Sequence, residues 1–161
     1  MNEQLISTLE KEYRLLRFRA FDSAAAMSIA MRVVERVKKE FEKPATVDVQ
    51  LSGRQLFHYA MDGTSPDNDE WVRRKARVVL RFHKSSLHVA AMLQAQAKTI
   101  EERYGLDGRD YAASGGSFPV ILEGTGVCGA ITCSGLRQED DHRLVAEAVA
   151  AELGLDYRSP V

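Results

Sequence analysis

Apolar residues recur at intervals of three and four from Asn2 to about Phe18, where Leu5, Leu9, Tyr13 and Leu16 fall on one side of a helix. Asp22 and Ser23 mark the start of a second helix, because their side-chain oxygens accept hydrogen bonds from the unpaired amides of a first turn. In that helix Ile29, Val33, Val37 and Phe41 form one stripe while Arg36, Lys38, Lys39 and Glu40 cover the other side, and Pro44 closes the segment. The period then changes to two. "TVDVQL" sets Val47, Val49 and Leu51 on one face and Asp48 and Gln50 on the other, the pattern of a half-buried strand. Ser52 and Gly53 turn the chain into "RQLFHYAM". A three-residue loop with Gly53 left-handed predicts a hairpin in which Val47 lies opposite Phe57.

"DGTSPDND" supplies turn and helix-start residues, and the next helical period runs from Trp71 through Val78 and Val79 to Phe82. "HKSS" interrupts it. Ser85 or Ser86 then starts a further helix carrying Leu87, Ala91, Ile100 and Tyr104 and ending at Gly105, with one long kinked helix as the alternative. "DGRDYAASGGS" has loop composition and leads into "FPVIL", a short strand whose Pro119 requires an edge, an end or a bulge. After a turn over 123–126, "VCGAITCS" is the most strand-like run. "QEDDHRLVAEAVAAEL" is a last helix, stopped by Gly154. Strands joined by turns this short pair antiparallel. The expected fold is therefore α/β in the α+β sense: one antiparallel sheet of about four to five strands packed with helices, in a single domain over 1–161.

Composition narrows the function classes. A formal net charge of −1 and 45% hydrophobic residues give no electrostatic footprint for nucleic acid. The longest small-apolar run, "AAAMSIAM", is far short of the ~20 residues that cross a bilayer, so no membrane partner is expected. "MNEQLISTLEKEYRLL" carries acids and no apolar leader core, which makes the cytoplasm the expected location. Cys128 and Cys133 are the only cysteines. Five residues apart on one strand, they point to opposite faces roughly 16 Å apart at ~3.3 Å per residue, which suits structural thiols and neither a disulfide nor a metal pair.

Candidate chemistry is sparse. Asp140, Asp141 and His142 fall in the first turn of the last helix, where carboxylates complement the exposed amides. A nucleophile set of Cys133, His142 and Asp141 is the alternative, without a nucleophile elbow to support it. "GTGVCG" matches neither a dinucleotide nor a P-loop pattern, and Gly129 within a strand indicates a bulge or a close backbone approach. Lys75 lies four residues from both Trp71 and Val79, a charge on an apolar stripe. Its ammonium either reaches water past the stripe or meets an acidic group of a ligand or a second subunit. His58, His83, His88 and His142 are scattered and form no local metal site.

Taken together, "WVRRKARVV…SS", "GGSFPV", "GTGVCGAITCSGL" and "QEDDHRLV" resemble the GlcG/HbpS-like superfamily, the haem-degrading domain family, over about Leu5 to Leu155. The resemblance implies a profilin-like or PAS-like sandwich that forms homodimers and larger rings or cages, with haem as the candidate cofactor. It also implies two clusters. Trp71, Arg74, Lys75, Ser85 and Ser86 make up the first; Gly115, Gly116, Phe118, Pro119, Ser134, Gly135, Asp141 and His142 make up the second. Lys75, Ser85, Ser86 and His142, with Trp71 and Arg74, are the expected ligand-binding residues, and the glycines, Phe118 and Pro119 the expected structural ones. Three functions follow as expectations: a small ligand-binding or sensor domain linked to haem or iron, a haem-degrading or other enzyme, and an oligomeric scaffold without a ligand. The first helix and the "FPVIL" edge are the expected surfaces of a homodimer.

Overall fold

The computed structural model describes Asn2–Val161. Strands β1 (Thr46–Leu51), β2 (Arg54–Ala60), β3 (Ser117–Leu122) and β4 (Gly126–Ser134) form one antiparallel sheet in the order β2-β1-β4-β3. Six helices pack with it: α1 (Asn2–Leu15), α2 (Ser23–Glu40), α3 (Pro66–Phe82), α4 (Ser86–Ala95), α5 (Ile100–Tyr104) and α6 (Gln138–Glu152). No helix among the described residues is long and apolar enough to cross a membrane.

The main core lies on one face of the sheet. There Ile29, Val33 and Val37 of α2 and Leu144, Val145 and Val149 of α6 meet Val47, Val49, Phe118, Val120, Ile131 and Cys133. The other face is covered by α3, whose Ala76 and Val79 pack on Ala130. This double cover corrects the half-buried expectation for β1, because Thr46 and Asp48 are buried along with Val47 and Val49. Burying one strand on both faces places polar side chains beneath a helix, where they need partners.

The hairpin register also differs. Ser52 (φ 51°) and Gly53 (φ 79°) are both left-handed, as in a two-residue type I′ turn, so the loop closes on Leu51 opposite Arg54. A bulge after Val49 then places Val47 opposite Tyr59 and Val49 opposite Phe57. A second bulge makes Cys128 the unpaired residue between Gly129, opposite Val120, and Val127, opposite Ile121. Strict alternation ends there, and Cys128 packs against the same core as Cys133 rather than on the opposite face.

Two helices replace the single one expected after "HKSS". His83, left-handed at φ 54°, ends α3, and Ser85 caps α4 by accepting from the His88 amide at 3.2 Å. Ala97 (φ 49°) then breaks the helix, and Thr99 with Glu102 forms a capping box that starts α5. The expected homodimer surfaces are occupied within the chain. Leu9 packs on Leu87 and Ala91, Leu16 lies in the main core, and Phe18 pairs with the β3 edge through Ile121 and Glu123.

Candidate functional site

The start of α3 and the start of α6 flank the end of β4. Ser65 caps α3 in a reciprocal box with Asn68, and Pro66 fits the first turn because it lacks the amide left unpaired there. At β4 the chain turns through Gly135 (φ 149°), where a Cβ would lie 2.5 Å from the Pro44 carbonyl oxygen, and enters α6 after Leu136 and Arg137. Between these elements is a cleft of about 260 Å³. It is lined by Trp71 and Lys75 of α3, Ser134 and Gly135 of β4, Ser114 and Gln138, with Asp67, Asn68 and Leu136 completing it.

Lys75 is 3% exposed, and its Nζ donates to Asp141 Oδ2 at 3.1 Å. The expectation that its ammonium reaches water is corrected: the acidic group it meets belongs to its own chain. Gly116 makes this possible. At φ 129°, it would place a Cβ 3.0 Å from Lys75 Nζ and 2.9 Å from Asp141 Cβ, so only glycine leaves room for the ion pair. Gly115 likewise passes against the Gln138 carbonyl where no Cβ fits.

The expectation that Asp141 serves only to complement a helix terminus is corrected by its partners. Asp141 accepts from the Gly135 and Leu136 amides at 3.3 and 3.2 Å and from Cys133 Sγ at 3.4 Å. Burial pushes its carboxyl above the ordinary range against the pull of the Lys75 ammonium. Burial, with the carboxylate beside it, drives the Cys133 thiol well above its usual value. A thiol held protonated is a poor nucleophile. His142 faces elsewhere, with Nε2 2.7 Å from Glu12 Oε2, so the set of Cys133, His142 and Asp141 is not assembled.

The structure therefore brings Trp71, Lys75, Ser134 and Gly135 to one cleft, with Gly116 and Asp141 behind the lysine. Arg74 stacks its guanidinium 4.2 Å from the Trp71 ring centroid and donates to the Gly108 carbonyl at 3.3 Å. Ser85 is a helix cap. Ser86 Oγ accepts from the Ser117 amide at 3.0 Å and donates to the Ser117 carbonyl at 3.3 Å, a tie between α4 and β3. His142 is fully buried 6.1 Å from the Phe118 ring, and Pro119 sits in the edge strand β3.

Two groupings escaped sequence reasoning. Glu12, 1% exposed, accepts from Tyr157 Oη and Ser159 Oγ, both at 2.6 Å, besides pairing with His142. It sits three residues after Leu9 and four before Leu16, so it is a charge on an apolar stripe, the same signal that singled out Lys75. The second grouping is His58 between Asp48 and Asp69.

Residues 21–150 match the profile of the haem degrading protein HbpS-like family. The chain belongs to the HbpS-like family. Among its relatives, a UPF0303 protein of Streptomyces coelicolor is 45% identical over 149 residues, covering 92% of this chain and 94% of the relative. One of Rhizobium rhizogenes is 44% identical over 152 residues, covering 94% and 93%. The crystal structure of Ybr137w protein superposes with a TM-score of 0.86 at 29% identity over 92% of this chain and 89% of that one. That of HbpS gives 0.65 at 27% identity over 86% and 93%. The PduOC:heme complex, at 20% identity and a TM-score of 0.69, shares the HbpS-like fold.

Proposed function

We propose that this HbpS-like chain binds a small ligand through a carboxylate, in the cleft between the starts of α3 and α6, as one unit of a homo-oligomer. The observation that carries the reading is the buried Lys75 ammonium among hydrogen-bond donors. Ser114 and Ser134 offer hydroxyls, Gln138 an amide, and the Arg137 side chain at the start of α6 makes no capping bond to its first turn. Asp67 is the one carboxylate among the lining side chains. A donor-rich pocket selects an acceptor-rich ligand, and the Trp71 ring adds an apolar wall. Asp141, 3.1 Å from the Lys75 Nζ, holds that group in place, so it meets the ligand's anion as a positioned donor.

Haem enters through the family and through the haem-bound fold relative, and the residues present do not fit an enclosed haem. The cleft lies below the ~300–1,000 Å³ of pockets that enclose drug-sized ligands. His142 and His88 are buried at 0% and 2% exposure, and both nitrogens of His58 are taken by carboxylates. His83 lines neither this cleft nor the larger ones beside Arg36, Pro44, Phe18 and Asp48. A propionate arm of haem belongs to the right chemical class; its ring does not enter.

For self-association, the large apolar side chains left exposed include Met27 and Met31, one turn apart on α2, at 59% and 40%. Light scattering is expected to give at least two chains per particle, and the mass of one chain at micromolar concentration would contradict it. Trp71 is the only tryptophan, so its emission reports on the cleft directly. Titration with acetate, glycolate and succinate is expected to change that emission saturably, whereas acetamide leaves it unchanged. Haem is expected to give no one-to-one Soret shift of histidine ligation. Flat emission across the carboxylates would overturn the reading.

A further inference from the structure

We infer that His58 is a proton-linked positioning residue for the ligand cleft: its imidazolium, clasped between Asp48 of β1 and Asp69 of α3, holds the first turns of α3 against the sheet. The inference rests on the cleft being the ligand site.

His58 projects from β2 with Nδ1 2.7 Å from Asp48 Oδ2 and Nε2 2.9 Å from Asp69 Oδ1. Carboxylates only accept, so both ring nitrogens must carry hydrogen and the clasped ring is the cation. Asp48, 4% exposed, also accepts from Gln55 Nε2 at 2.6 Å, which fixes it as the rigid jaw. Asp69 is the movable jaw, with its side chain 45% exposed. Around them is a second cleft, of about 430 Å³, whose remaining charges are Glu70 and Arg73 of α3. Those two bond each other at 2.9 Å, and Arg73 turns away to Asp110 and the Arg109 carbonyl, leaving Asp48 and Asp69 as the partners of the ring. Burial alone would lower the His58 pKa, but the bond and charge of Asp48, followed by those of Asp69, raise it above the ordinary 6.5.

The clasp reaches the ligand cleft through one helical turn. Asp69 shares the first turns of α3 with Asp67, Asn68 and Trp71, which line the ligand cleft. Among the described residues, the bond to Asp69 is the only side-chain hydrogen bond that ties Asp67–Glu70 to the sheet, since Asn68 bonds Ser65 and Glu70 bonds Arg73. The remaining ties of α3 begin farther along, at Arg73, Arg74 and Lys75. The sign follows from the raised pKa: the clasp is fully formed below 6.5 and is lost as pH rises through the folded-state value. Above it, Asp48 keeps the Nδ1 hydrogen and the bare Nε2 lone pair faces a carboxylate. Asp69 then swings to water and releases the wall that carries Trp71.

The test uses the whole chain without ligand and then with acetate as probe. Trp71 emission is expected to step as pH rises above 6.5, with the midpoint that NMR gives for the His58 ring, and acetate affinity to fall about fivefold or more across the step, the size of an ordinary coupling between sites. Asp69→Asn is the discriminating variant. Its carboxamide donates to the bare Nε2, so the clasp survives at high pH and the emission step disappears while His58 still titrates. His58→Leu holds emission at the high-pH value throughout. A step of unchanged size in Asp69→Asn would overturn the inference, as would flat wild-type emission while His58 titrates. If acetate and the other carboxylates fail to bind, the ligand reading falls, and the ligand-free emission step still decides the clasp.

Discussion

Replacing Glu12 by alanine is expected to remove about 3–5 kcal/mol of folding free energy, the usual consequence of taking one partner from a buried charged network. The side chain satisfies His142 Nε2 at 2.7 Å and the hydroxyls of Tyr157 and Ser159 at 2.6 Å, so alanine strands three polar groups at once. Among the described residues, His142 Nδ1 is already buried without a partner, and that ring has no second bond to fall back on. The C-terminal segment should loosen in the same variant, because Tyr157 and Ser159 anchor it to α1; faster limited proteolysis beyond Leu155 would report this. Burial alone would raise the Glu12 carboxyl, but the bond and charge of His142, helped by Ser159 and Tyr157, hold it below the ordinary 4.5. A depressed carboxyl contributes stability fully above 4.5 and loses it as pH falls through the folded-state value. Urea denaturation in acid should therefore show a stability slope in the wild type that Glu12→Gln lacks. A loss under about 1 kcal/mol in Glu12→Ala, the scale of one ordinary hydrogen bond, would contradict the network.

The second large effect is at Lys75. Lys75→Met keeps most of the buried stem and leaves Asp141 as an uncompensated buried carboxylate, which is expected to cost about 3–5 kcal/mol at pH 8. The cost should shrink toward pH 5. The Asp141 carboxyl is already pushed up by burial, and without the ammonium it rises further, so a proton neutralises it at modest acidity. Adding Asp141→Asn to Lys75→Met should recover part of the loss, since the neutral carboxamide removes the buried charge and its one oxygen still accepts from the Leu136 amide. Urea midpoints at the two pH values check this, and equal stability of Lys75→Met and wild type at pH 8 would contradict it.

What the sequence discloses and what it conceals divide along physical lines. The stripe of α2, the Asp22 and Ser85 caps and the stops at Gly105 and Gly154 are local, and each appears in the fold. Pro119 stands in an edge strand, as its missing amide requires. The break before α5 was also local: Thr99 and Glu102 have capping-box spacing, and the apolar period carried through them obscured it. The hairpin register turned on a left-handed Ser52, a conformation that a serine does not advertise. The buried pairs are another matter. Lys75 and Asp141 are 66 residues apart, and Glu12 and His142 are 130 apart. A charge on an apolar stripe reveals that a partner is needed, and only the packed sheet and helices reveal which one.

The central claim, that a carboxylate ligand enters between the starts of α3 and α6, is tested most directly by following backbone amide NMR shifts of the whole chain while acetate and then succinate are added. The account predicts saturable shifts concentrated at Asp67–Lys75, Ser114 and Ser134–Gln138, with the Trp71 indole signal among the most displaced. Shifts centred on the cleft of about 490 Å³ that Arg36 of α2 and Glu147 of α6 line, on Met27 and Met31, or on no site at all would contradict it.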